Sequence, residues 1–151
     1  MTTEPLQLTQ LITETTPPDD TLTLAYELRQ KRRFRVVSDG GMDVGVFLPR
    51  STLLRGGHLL RAENGQVFKV KAAAESLSVV RSEDGLAFAR ACYHLGNRHV
   101  ALQIGPGELR YLHDHVLDDM VRGLGLPVEH EQAGFEPEPG AYHASPHPHT
   151  H

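Results

Sequence analysis

Along the first half of the chain, apolar residues recur at alternate positions in short runs separated by turn residues. Leu6, Leu8 and Ile12 stand in a Thr/Gln-rich stretch, and Thr21-Leu22-Thr23-Leu24 alternates with period two. Phe34-Arg35-Val36-Val37 and Val44-Gly45-Val46-Phe47 flank Asp39-Gly40-Gly41, where glycine supplies the backbone freedom a hairpin turn needs. Asn64-Gly65 is a second such turn, between Leu59-Leu60 and Val67-Phe68-Lys69-Val70. Short strands at this spacing predict a small β sandwich or barrel over residues 1–72. Ala72-Ala73-Ala74-Glu75 reads as a linker.

From Ser76 the period changes. Leu77-Ser78-Val79-Val80 predicts a strand. Ser82 and Asp84 are N-cap candidates for a helix with Phe88, Ala91, Cys92 and Leu95 as its apolar stripe and Gly96 as its stop. A strand from His99 to Ile104 follows, then the turn Gly105-Pro106-Gly107 and a strand from Leu109 to Leu112. Asp114 can cap a second helix with the stripe Val116, Leu117, Met120, Val121 and Leu124. Gly125 ends that helix, and Leu126 to Glu131 predicts a last strand. The order βαββαβ is the ferredoxin-like arrangement. The expected class is α+β: an N-terminal all-β domain (1–72), a ferredoxin-like domain (76–133) and a flexible His-rich tail (134–151). The tail's Pro, Gly and His cannot bury a core.

Charge and cysteine narrow the function. The chain has 15 Lys+Arg against 19 Asp+Glu, a formal charge of -4, which argues against a nucleic-acid partner. With Cys92 as its single cysteine, neither an internal disulfide framework nor a thiolate zinc cluster can form. The first residues carry no basic, apolar leader and no run could span a bilayer, so the expectation is a cytoplasmic protein with no membrane role. Signatures of hydrolases, nucleotide binders and zinc proteases are absent, and a non-enzyme is expected.

Ten residues are histidine, and none lies in the first 57. His143, His147, His149 and His151 fall within the last nine residues. A solvated tail has no packing reason to favour imidazole, which is the commonest neutral nitrogen ligand for metals. Pro and Thr interrupt the series, unlike a contiguous purification tag, and in an extended chain these rings can swing to meet an ion.

His99 is expected at a strand start, with Ala101 and Gln103 on the face opposite Val100, Leu102 and Ile104. Position alone leaves open a metal ligand or a surface histidine bonded to a loop carbonyl. His113 and His115 are about 200° apart if both lie within one helix, so they cannot share an ion there, but straddling the Asp114 cap they have more freedom. His115 is expected opposite the apolar stripe, on the side of Asp118 and Asp119, and could share an ion with Asp119 at i,i+4. A solvated first turn that compensates the helix dipole explains the same residues. His58 and His94 read as surface or packing histidines, and Cys92 as a small core residue.

ACYHLGNRHVALQI, followed by LRYLHDHVLDDMVRGLG and FEPEPGAYH, resembles the UreE family of urease accessory proteins, which are nickel metallochaperones. YELRQKRRFRV and VGVFLPRSTLLRGGHLL resemble the N-terminal domain of that family, so the likeness covers almost the whole chain. The resemblance implies a homodimer with a peptide-binding β domain and a ferredoxin-like metal-binding domain. It implies His99 as principal nickel ligand, with two copies meeting at the dimer contact, where a C2 axis duplicates any residue near it. It implies His113 and His115 as secondary sites that favour other metals such as copper, and a tail histidine (His143, His147, His149 or His151) that completes the nickel shell. Its implied partners are the urease accessory GTPase and the urease apoprotein–accessory complex. Zinc, copper and nickel all accept imidazole, so nickel is implied by the resemblance and not by the ligand set.

The alternative is a divalent-metal buffer with the same ligands and no delivery role. An RNA-binding sheet is disfavoured, because Tyr111 alone is a plausible strand aromatic and the charge is negative. A peptide-binding role for the N-terminal domain stays open, since β edges accept strands. A zinc hydrolase using His113 and His115 lacks an evident third ligand and base.

Overall fold

A computed structural model describes residues 4–49 and 52–139, and the chain divides into two compact units, 1–73 and 74–151. Among the described residues no helix is long and apolar enough to cross a membrane.

The N-terminal unit contains β1 (Leu6–Ile12), β2 (Asp20–Leu24), α1 (Tyr26–Arg29), β3 (Arg33–Val37), β4 (Asp43–Phe47), β5 (Leu59–Ala62) and β6 (Val67–Ala72). They form one six-stranded sheet in the order β2-β6-β5-β1-β4-β3. Both hairpins fall at the glycine turns, where Gly41 and Gly65 take φ of 92° and 89°. The pairings β1–β4 and β2–β6 are parallel, a direction that period-two alternation does not encode. The sheet curls until the β3–β4 turn meets β2: Asp39 N–H donates to the Thr21 carbonyl at 2.9 Å. Leu8, Leu22, Leu24, Val44, Val46, Leu60, Phe68 and Val70 fill the interior. The short α1, not expected from the sequence, carries a fully buried Arg29 that donates to the carbonyls of Leu24 (3.0 Å) and Leu54 (3.1 Å).

The C-terminal unit contains β7 (Ala74–Arg81), α2 (Gly85–Asn97), β8 (Gln103–Gly105), β9 (Glu108–Leu112), α3 (His115–Gly123) and β10 (Glu129–Gly134). Its sheet has the order β10-β7-β9-β8, and every neighbouring pair is antiparallel. Val80, Leu109 and Tyr111 from the sheet share one core with Ala91 and Leu95 of α2 and Val121 of α3. Asp84 and Asp114 cap the helices as expected, Asp84 accepting from Leu86 and Ala87 (3.0 and 3.1 Å) and Asp114 from Val116 and Leu117 (2.9 and 3.2 Å).

Several boundaries differ from expectation. The Ala72–Glu75 linker is strand on either side of Ala73, because Ala74 and Glu75 pair with Gly134 and Ala133. Helix α2 runs past Gly96 to Asn97, so residues 98–102 are irregular and β8 begins only at Gln103. The last strand begins at Glu129: Leu126 packs into the core, and Pro127 has no N–H to donate to a ladder. Val116, expected on the apolar stripe, is 53% exposed. Residues 134–139, expected in the tail, are held: Phe135 is fully buried, and Glu138 N–H donates to the Leu102 carbonyl at 2.6 Å. His143, His147, His149 and His151 lie outside the described residues.

Candidate metal centre

His99 occupies the turn that ends α2. After the C-cap Arg98, His99 N–H donates to Gly96 O at 2.9 Å and Val100 N–H reaches back to Leu95 O at 3.2 Å. This is a Schellman motif, with Val100 and Leu95 as its apolar pair. Such a motif requires a left-handed residue, and His99 has φ of 60°, the one non-glycine with positive φ among the described residues. Helix α3 ends by the same two bonds, Gly125 N–H to Arg122 O at 2.9 Å and Leu126 N–H to Val121 O at 3.4 Å, with glycine in the left-handed place. The turn therefore lifts His99 onto the surface at a conformational cost that its counterpart avoids. Gln103 Oε1 accepts Glu136 N–H at 2.9 Å, and with the Glu138–Leu102 bond this ties the chain leading into the tail to the segment just after His99.

A second group forms across the sheet. Register places His130 of β10, Ser78 of β7 and Tyr111 of β9 in one row on adjacent strands. Asp118 of α3 sits on that row at 1% exposure, although the helical pattern had placed it toward solvent. The reason is that Asp118 and Val121 are i,i+3 neighbours on the buried face. Its Oδ1 accepts the hydroxyls of Ser78 (2.6 Å) and Tyr111 (2.7 Å). Its Oδ2 lies 2.8 Å from His130 Nε2 and 3.2 Å from His113 Nδ1. Burial pushes the Asp118 carboxyl up, but the hydrogen bonds from Ser78, Tyr111 and His130, with the nearby His113, outweigh it and hold the group below the usual carboxylate range. The same burial, with Asp118 beside it, pushes the Tyr111 phenol well up, so it stays a neutral donor.

The remaining histidines are dispersed. His115 is exposed at the start of α3 and does not join the group around Asp118, while Asp119 pairs with Arg122 at 3.4 Å. His94 is exposed and meets Tyr93 edge-on at 5.2 Å. His58 Nδ1 accepts the Arg55 N–H at 2.9 Å within its turn. Cys92 is half-buried, and desolvation pushes its thiol up, away from thiolate chemistry. Sequence reasoning missed His130 and Asp118 as a pair of donors. The available signal was Ser78: a hydroxyl inside the apolar run Leu77–Val80 needs a buried polar partner.

Fold and site together define a two-unit α+β protein that presents imidazole and carboxylate donors on its C-terminal unit. Residues 4–73 match the family profile described as UreE urease accessory protein, N-terminal domain, and residues 75–151 match its C-terminal domain. The urease accessory protein UreE of Alkalilimnicola ehrlichii is 64% identical over 137 residues, 91% of this chain and 84% of that protein. Its counterpart in Pseudomonas putida W619 is 57% identical over 141 residues, covering 93% and 88%. That of Escherichia coli O157:H7 is 50% identical over 147 residues, covering 97% and 96%. The chain belongs to the UreE family of urease accessory proteins. These relatives are named as accessory proteins and not as enzymes.

Proposed function

We propose that this chain is a cytoplasmic metallochaperone that binds Ni(II) and delivers it for assembly of the urease active site. The observation that carries the reading is the His99 turn: an exposed imidazole held at a left-handed position that glycine would fill at lower cost. One imidazole makes a weak site. A homodimer, with two His99 rings near its axis, supplies two, and tail histidines (His143, His147, His149 or His151) complete the shell. The tie from Glu138 to Leu102 supports this, because it brings the chain ahead of the tail close to His99. His113 and His115 are then secondary positions open to zinc or copper. The βαββαβ order with its 4-1-3-2 strand sequence supports a ferredoxin-like metal-binding domain, and the edge strand β3 supports strand addition by a peptide on the N-terminal domain.

Delivery requires a receiver, and the urease accessory GTPase with the urease apoprotein complex fills that role. Equilibrium dialysis tests the site: His99→Ala is expected to lose most high-affinity nickel, and unchanged affinity and stoichiometry refute the assignment. Gel filtration with the GTPase, with and without nickel, tests delivery. A metal buffer binds nickel but forms no such complex.

A further inference from the structure

We propose that His113, Asp118 and His130 form a second divalent-metal site, complete within one copy of the chain, for a late first-row ion such as zinc. It goes beyond the nickel reading, since it uses neither His99, nor the tail, nor a second copy, and it replaces His115 with His130 as the companion of His113.

The three donor atoms lie within 4.8 Å of one another. With metal–ligand bonds of about 2.0–2.1 Å, neighbouring donors in a tetrahedral site stand about 3.3 Å apart. The Asp118 Oδ2 edges, 2.8 Å to His130 and 3.2 Å to His113, are already near that length. The two rings stand edge to face with centroids 4.4 Å apart, so a small rotation closes the third edge.

The donors are also preorganised. Ser78 and Tyr111 occupy Oδ1, which turns Oδ2 toward the two rings, the outer-shell arrangement that orients ligating carboxylates. His130 is placed by its strand pairing with Ser78, and His113 by its N–H bond to Ser76 O at 3.0 Å. One imidazole is enough to serve Oδ2, yet two converge on it. Their side chains are 39% and 46% exposed, so a fourth position faces solvent and the ion can exchange.

Two imidazole nitrogens and one carboxylate oxygen suit zinc, nickel or copper(II), and are too nitrogen-rich for calcium or magnesium. Without metal, His130 Nε2 pairs with Oδ2 at 2.8 Å, while His113 Nδ1 lies 3.2 Å from Oδ2 and 3.2 Å from the Ser78 hydroxyl. On binding, a proton on either ligating nitrogen is released to solvent and the freed lone pair turns to the ion.

The test uses the full-length chain carrying His99→Ala, His143→Ala, His147→Ala, His149→Ala and His151→Ala, which removes the first site. Zinc chloride is the probe in equilibrium dialysis, and cobalt(II) reports coordination by its visible spectrum. The expected result is one zinc per chain and the strong absorption of four-coordinate cobalt. Adding His130→Gln, which keeps an amide donor for Asp118, lowers zinc affinity at least tenfold and removes the cobalt band. Adding His94→Ala, at an exposed position on α2, changes neither, and adding His115→Ala lowers zinc affinity less than His130→Gln does. His113→Gln, on a different segment, repeats the test should His130→Gln fail to fold. Zinc kept by His130→Gln but lost by His115→Ala assigns the site to His113 and His115 and overturns the proposal. A folded background protein that binds no zinc overturns it equally. Neither outcome touches the nickel reading, which rests on His99 in the otherwise unaltered chain.

Discussion

Replacing His99 by glycine should make the protein more stable and, on the proposed function, weaken nickel binding. Two helices end in the same hydrogen-bonded turn, one with Gly125 at the left-handed position and one with His99. A side chain there costs an L-residue about 1–2 kcal/mol. Glycine removes that strain but loses about 0.5–1 kcal/mol of extra backbone entropy on folding. The net expectation for His99→Gly is a gain of about 0.5–1 kcal/mol. Alanine keeps the Cβ and the strain, so His99→Ala gains nothing. For a unit of this size, 1 kcal/mol moves the thermal midpoint by about 4–8 °C. The glycine variant should therefore melt about 2–8 °C higher than the parent. The measurement is thermal unfolding by circular dichroism in excess chelator, because bound metal would add stability of its own. Nickel dialysis on the same samples should show both variants impaired alike. Stability would then rank glycine above histidine and alanine, while nickel affinity ranks histidine above both. If His99→Gly is no more stable than the parent, or His99→Ala matches it, the turn is not strained and its conformation gives no reason for a histidine there.

Other consequences can be measured independently. Arg29→Ala opens a cavity and removes the donor that the Leu54 carbonyl accepts, and should cost about 3 kcal/mol in urea denaturation; a loss below about 1 kcal/mol would show that the buried guanidinium is dispensable. Asp84→Ala removes the α2 cap and should lower stability by about 1 kcal/mol, read as a shifted urea midpoint at constant slope. The hydroxyls of Thr21 and Thr23 hold the Asp39 carboxyl below its ordinary value. Its folded pKa is depressed, so this contribution is present above the unfolded pKa near 4 and lost as pH falls through the folded value. Thr23→Val should flatten stability against pH in the acid range below the unfolded pKa, and parallel curves for the two proteins would count against the link.

Much of the architecture could be read from local pattern. Alternation with period two marks β2, β3, β4 and β6, glycines mark both hairpin turns, and Asp84 and Asp114 announce their helices from three or four residues of context. Each depends on interactions within a few residues, which a chain displays in order. His99 and His113 are likewise visible as candidate donors in the sequence, because ligand chemistry belongs to the residue type.

Partnership was a different matter. Parallel pairing of β1 with β4 joins strands whose patterns do not reveal direction. The left-handed turn at His99 arises because α2 overruns Gly96, a choice settled by packing Leu95 and Val100 into the core. Asp118 reads as a solvated helix residue until strand register lines up His130, Ser78 and Tyr111 beneath it. Composition and periodicity therefore marked which donor types the chain carries and most of the segments that form strands and helices. Which donors share a site depended on contacts between residues up to 52 positions apart, as Ser78 and His130 are, and only packing against a common core brings those together.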